Sequence, residues 1–296
     1  MKRNALKGIE LGRTIGVEVE GYTGMYNTMI SNRVRHSQMK YDGSLGNGRN
    51  NRGLEIVTQP ISKLDLLDEV FEDINKYQWT TGRGRAGTHI HVDSRDYNVL
   101  DRIKMAIFMR RIEDVMFMLV KKSRYSRGRG SRNTYCRPIS DGWRELLKDL
   151  ENRYPKYDLT KYTNIGNLQY DIITQERLRH SPLRLPNTIR YQYVNIWSSS
   201  HNTIEFRIFH AIRTPKDAKI FTLIAYHLVE LVKYSTLEHL DYLADVIINK
   251  STSAEDMVTK FGEAIGLPFT PKIYNTELAE SVSRRKVLRT RRIQAV

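Results

Sequence analysis

Four short stretches of the chain carry carboxylates and imidazoles at strand spacing: Glu18 with Glu20, Glu55, His89 with His91 and Asp93, and Glu205 with Arg207. Side chains two apart fall on one face of an extended chain, so each group presents its chemistry to one side. No lysine shares these polar faces, although the chain has more bases than acids. Like charges gathered on one sheet face repel unless something cationic sits among them. A divalent metal, or a pair, is the natural occupant. Oxygen donors with one or two imidazoles suit Mg2+ or Mn2+ better than a closed zinc site, which prefers Cys and several His. Taken singly, each group has an ordinary explanation. Glu-x-Glu suits a solvent-facing strand and Glu-x-Arg a cross-strand ion pair, while His-x-His leaves a zinc hydrolase, a cupin-like site or satisfied structural histidines open. Their coincidence on predicted strands indicates a site.

Two glycine-bearing loops adjoin these stretches. Thr81-Gly82-Arg83-Gly84-Arg85-Ala86-Gly87 runs directly into His89. Gly84 and its neighbours let backbone amides approach phosphate oxygens, and Arg83 and Arg85 would neutralise them. The loop lacks the Gly-Lys-Ser/Thr of a Walker motif, and a simple turn has the same composition. Asp42-Gly43-Ser44 offers a carboxylate and a hydroxyl, and is equally a good turn sequence.

The elements that must position these residues are legible from periodicity. Thr14 to Glu20 alternates Ile15, Val17 and Val19 against Gly16, Glu18 and Glu20, predicting a half-buried strand. Leu54 to Thr58 and Thr88 to Asp93 read as strands, and Tyr191–Ile196 with Thr203–Phe209 as a hairpin. Ser62, with Asp65 three residues later, predicts the start of a helix carrying Leu67, Phe71 and Ile74 on one face. One long apolar helix is expected from Asp101 to Lys122, and an amphipathic one capped by Ser140. Thr214-Pro215-Lys216-Asp217 opens another that runs to about Ser235, with helical periodicity again around 237–249 and from Ser253 until Gly266. Residues 154–190 have no clear assignment, and no internal repeat is present. The order favours an α+β architecture in which helices back a mainly antiparallel sheet.

The order of the motifs resembles the amidoligase family of carboxylate-amine ligases, grouped with glutamine synthetase and glutamate-cysteine ligase. The resemblance rests on Gly16-Val-Glu18-Val-Glu20, Asp42-Gly-Ser44, Gly53-Leu-Glu55-Ile-Val-Thr58-Gln-Pro60, Gly87-Thr-His89-Ile-His91-Val, Tyr193-Val-Asn195-Ile and Thr203-Ile-Glu205-Phe-Arg207. It runs from about residue 14 to 210 and implies a glutamine synthetase-like catalytic domain, with ATP and Mg2+ or Mn2+ on the concave face of a curved sheet. By motif it implies Glu18, His89 and Glu205 as ligands of a metal on the nucleotide phosphates, with Glu20 and Glu55 on a second metal. It further implies Arg207 as a contact to the transferred phosphate and His91 as a lining residue of the nucleotide or substrate site. Arg190 and Asn195 are additional candidates. The expected activity joins a carboxylate to an amine, on a small molecule or peptide, through an acyl phosphate. Such members are frequent in bacteriophage and bacterial genomes.

Composition sets the remaining bounds. The 296 residues carry 48 Lys and Arg against 33 Asp and Glu, for a formal net charge of +15. Residues 121–137 hold seven bases and 284–296 hold six, with no acid in either, so the rest of the chain is close to neutral. These segments suit nucleic acid or another polyanion, or plain solvent. The expected domains are a catalytic unit over 1–280 with a helical, basic insertion at 121–190, and a basic tail or helix over 281–296. A single cysteine, Cys136, excludes an internal disulfide framework. The most apolar stretch, Val115–Val120, is far shorter than the roughly 20 residues of a membrane span, and a cytoplasmic protein without membrane contact is expected. Two alternatives to the ligase stand: a metal-dependent hydrolase using His89 and His91, and a nucleic-acid-binding or virion structural protein on a ligase scaffold.

Overall fold

The computed structural model describes residues 6–24, 34–42, 45, 52–77, 79–81, 86–124, 136–181, 183–186, 192–198 and 202–294. Its centre is a seven-stranded antiparallel sheet. The strands are β1 Glu10–Thr23, β2 Ser37–Tyr41, β3 Arg52–Thr58, β4 Ile61–Lys63, β5 Thr88–Asp93, β6 Val194–Ser198 and β7 Thr203–Phe206. Their order is β2-β3-β1-β5-β7-β6, with β4 also on β1. β1 is the organising strand. Its 14 residues are long enough to pair with β3 through Glu18–Thr23, with β4 through Glu10 and Ile15, and with β5 through Ile15–Val19.

Alternation along β1 explains the two faces. Ile15, Val17 and Val19 are fully buried, as are Leu54, Ile56, Ile90, Val92, Ile204 and Phe206 on the neighbouring strands. They join one apolar core with the helices α1 Leu66–Asn75, α2 Val99–Arg111, α3 Glu113–Met118, α4 Trp143–Arg153, α5 Ile165–Gln175, α6 Pro215–Tyr234, α7 Leu237–Ile248, α8 Ala254–Ala264 and α9 Thr276–Gln294. The other face carries the acids and imidazoles. The α+β expectation, with a mainly antiparallel sheet, is thereby met.

Several local expectations differ. The helix predicted from Ser62 starts at Leu66, because residues 61–63 pair with β1 and bury Ile61; its N-cap Asp65 makes no side-chain cap bond. The single helix expected over 101–122 breaks at Ile112, where the backbone leaves helical geometry. Its true start is Asn98, whose side chain accepts from the Asp101 amide in a complete capping box. The cap of α4 is Gly142, at φ 99°, rather than Ser140. The cap expected at Thr214 is present, accepting from the Asp217 amide, and Ser253 caps α8 in the same way from the Asp256 amide. β2 and β4 had no counterpart in the sequence pattern. Both are short and mixed in polarity, so neither shows a clean period of two.

Candidate active site

Register brings the four acid and imidazole stretches into adjacent rows. Glu18 lies opposite His89, Gly16 opposite His91, and Glu20 opposite Glu55. On the far side of β5, His91 lies opposite Glu205, and Glu205 opposite Asn195. Directly opposed residues of an antiparallel pair share a face, so all these side chains project together.

At the centre, Glu18, His89 and Glu205 each offer a donor atom within 4.8 Å of the others. His89 Nδ1 is 3.2 Å from Glu18 Oε2 and 3.8 Å from Glu205 Oε1. Its Nε2 is 3.5 Å from Glu20 Oε1. His91 Nε2 sits 3.2 Å from the second oxygen of Glu18, while its Nδ1 is 3.0 Å from the Thr203 hydroxyl. Glu205 is gripped on both oxygens, by Arg207 Nη1 on one and by Asn195 Nδ2 at 3.0 Å on the other. Glu20 accepts the Gly87 amide at 2.6 Å. Glu55 stands one strand farther out, across from Glu20, and is not part of the close cluster.

The electrostatics follow from this packing. Burial pushes the Glu18 carboxyl up, but hydrogen bonds from His89 and His91 outweigh it and hold the group well below the usual carboxylate range. Burial likewise raises Glu205, and the charges of Arg207, His89 and His91 reverse the shift, leaving it low. His91 is driven down by burial and more strongly up by Glu18, ending above its ordinary value. Glu55 has no such partner: burial first, then the charge of Glu18, push it up to about 7. Glu18 and Glu205 are thereby held ionised beside the imidazoles, with Glu20 and Glu55 on the same face. Two ionised carboxylates and an imidazole at this separation form an O/N donor set that fits Mg2+ or Mn2+.

Of the expected site residues, the sheet gathers Glu18, Glu20, His89, His91, Asn195, Glu205 and Arg207, with Glu55 adjacent. Arg83, Gly84, Arg85 and Arg190 lie outside the described residues, as do Gly43 and Ser44. Three contributors carried no sequence signal. Thr203 looked like a strand residue only, yet its hydroxyl fixes the ring of His91. Arg124 belongs to the basic run at 121–137 but is 2% exposed; its guanidinium donates to the carbonyls of Arg207 and Ile208. A Cβ at Gly87 would meet that guanidinium at 2.8 Å, so glycine there lets the arginine lie against the backbone that holds Glu20. Lys40 is the third. The faces of the four expected strands carry no lysine, but β2 adds one, directly opposite Glu55.

A family model described as "Putative amidoligase enzyme" matches residues 13–221. No curated protein matches the sequence. Among solved structures, a bifunctional glutathione synthetase from Pasteurella multocida is similar at 12% identity and a TM-score of 0.38, over 93% of this chain and 47% of that one. The chain spans about half the length of that synthetase.

Proposed function

The chain belongs to the family described as "Putative amidoligase enzyme", and on that premise we propose that it is an ATP-dependent carboxylate–amine ligase that forms an amide through an acyl phosphate. The observation that carries the reading is the Glu18–His89–Glu205 cluster, with donor atoms within 4.8 Å and Arg207 bonded to one of its carboxylates. Mg2+ or Mn2+ held by these three residues would supply Lewis-acid stabilisation of phosphate charge. Glu20 and Glu55 are assigned to a second ion. The glutamine synthetase-like arrangement of the sheet is part of the same proposal.

A carboxylate is a poor acyl electrophile. One of its oxygens attacks the γ-phosphorus of ATP, the bond to ADP breaks, and the acyl phosphate forms. The amine then attacks the acyl carbon, inorganic phosphate leaves, and the amine gives up its surplus proton. In this scheme Arg207 contacts the migrating phosphoryl group from its position on Glu205. Asn195 orients Glu205, and Thr203 holds His91 so that its Nε2 faces Glu18. Arg83, Gly84, Arg85 and Arg190 are assigned to the nucleotide on sequence grounds. The setting is cytoplasmic, with an acidic polymer as a partner for the basic segments. No helix among the described residues is long and apolar enough to cross a membrane.

The test is incubation of the full chain with ATP, Mg2+ and pooled amino acids, peptides and other carboxylates and amines. ADP, phosphate and product mass are scored, with Glu205→Ala as the control. Stimulated ADP release that vanishes in the control is expected. Turnover without ATP, retention of zinc in preference to magnesium, or no stimulation by any pool above the control would sink the ligase reading.

A further inference from the structure

Gly87 lies two residues before His89 and faces Glu20. The Glu20 amide donates to the Gly87 carbonyl at 3.0 Å, and the Gly87 amide to the Glu20 carboxylate at 2.6 Å. Residues two apart share a face, so the bare side of Gly87 belongs to the face of His89 and His91. The Arg124 guanidinium occupies that side, where a Cβ would stand 2.8 Å from both of its terminal nitrogens. Gly87 is not at positive φ, so this guanidinium, rather than the backbone, excludes a side chain there. The groups bonded to Arg124 are neutral: the carbonyls of Arg207 and Ile208 and the Cys136 thiol. No carboxylate among the described residues pairs with it, and filling buried space does not by itself call for a charge.

We propose that Arg124 is a positioning residue of the metal and phosphate site. Through the Arg207 carbonyl it sets the segment from which Arg207 grips Glu205, and across the bare side of Gly87 it sets the amide that holds Glu20. These two carboxylates stand at opposite nitrogens of His89, Glu205 at 3.8 Å from Nδ1 and Glu20 at 3.5 Å from Nε2. One planar group with a rigid fork of donors thus references both sides of the imidazole. At 2% exposed, Arg124 does not meet substrate and acts through Arg207 and Glu20. The inference rests on the ligase reading for the reaction that is served, but not for the placement of the donors.

The experiment is a double-mutant cycle on the full chain, comprising Gly87→Ala, Arg124→Met and the pair, at a temperature where circular dichroism shows every variant folded. Mn2+ titration followed by electron paramagnetic resonance is the readout. Gly87→Ala keeps the charge but displaces the guanidinium, and is expected to weaken Mn2+ binding at the Glu18–His89–Glu205 cluster by about tenfold. Arg124→Met is expected to weaken it by a similar factor; loss of a nearby positive charge by itself tightens a metal cation, so the weakening reads geometry. In the Arg124→Met background the added methyl enters vacated space, and Gly87→Ala should cost less than about twofold. With ATP and a stimulating pool, kcat should fall about tenfold in each single variant while the KM for ATP holds. Where Arg124→Met does not fold, Arg124→Lys, which lacks the fork, takes its place in the cycle. Unchanged or tighter Mn2+ binding in either folded single variant, or an equal cost of Gly87→Ala in both backgrounds, overturns the proposal. Failure of the ligase reading shows separately, as absent ATP turnover of the wild type with every pool, and leaves the Mn2+ cycle intact.

Discussion

Glu18 is where the two imidazoles converge, one on each carboxylate oxygen. Removing its charge takes away the nearer of the two carboxylates that His89 and His91 share, Glu205 being the other, whereas Glu55 lies outside the close cluster. Glu18→Gln and Glu205→Gln are therefore expected to weaken Mn2+ binding at the Glu18–His89–Glu205 cluster by about 100-fold or more, while Glu55→Gln changes the affinity of that tighter site by less than about tenfold; Mn2+ titration followed by electron paramagnetic resonance reads the difference. Equal losses in all three variants would mean that Glu55 is a ligand of the same ion. Thr203→Val removes the hydroxyl at His91 Nδ1 and is expected to lower turnover more than it changes Mn2+ affinity, since the ring loses its orientation but the three donors remain. At this scale the carboxylates and imidazoles were legible because their types and two-residue spacing are in the chain itself. Thr203, Arg124 and Lys40 were not, because a hydroxyl, one arginine in a basic run and a lysine in a weakly patterned segment gain meaning only from the residue opposite.

Buried cations brace the elements alongside the apolar core. Arg124 holds the carbonyls that follow β7 and fills the space beside Gly87 at the entry to β5. Arg124→Met would remove that donor from both carbonyls and is expected to cost about 2–4 kcal/mol, measured by denaturant unfolding. Gly87→Ala is expected to destabilise too, and to weaken Mn2+ binding through Glu20. Near-wild-type stability of both variants would show that the brace is dispensable. A second cation, Lys219 on α6, reaches Asp65 and Asp68 at 2.7 Å each at the start of α1. The bond from Lys219, then the Gly8 amide, hold the Asp65 carboxyl below its ordinary value. A depressed carboxylate stabilises the fold above its unfolded pKa and loses that contribution as pH falls through the folded one. The Tm deficit of Lys219→Met is accordingly expected to be full near neutral pH and to shrink below about pH 4; a deficit independent of pH would assign it to packing alone. Strong elements such as β1, β5 and α6 were legible from alternation and caps. β2 and β4 were not, because strands of five and three residues owe their conformation to the neighbours they pair with.

Across the whole molecule, the excess positive charge and the acid face are separate features. α9 docks through buried Leu278, Ala279 and Val282, and Arg285 reaches Asp114 at 3.1 Å. Residues beyond Lys286 carry three further arginines, Arg289, Arg291 and Arg292. A chain ending at Lys286 is expected to keep its Tm within about 2 °C, because the docking residues remain. It should bind a polyanion such as heparin more weakly, with a shallower salt dependence, in a fluorescence titration. An unchanged salt slope would exclude the C-terminal arginines as a polyanion contact. The sequence by itself determined the antiparallel α+β plan, the set of acids and imidazoles, the family, and the concentration of charge in two segments, since these depend on residue type, spacing and order along the chain. Only the tertiary structure decided that Glu18, His89 and Glu205 form the close cluster while Glu55 stands outside it, that one basic-run arginine is a buried brace, and that a lysine borders the acids. Those outcomes are set by which strands lie side by side and in what register, and pairing of residues 37–41 with 54–58, or 88–92 with 15–19, is a long-range choice that no local pattern encodes.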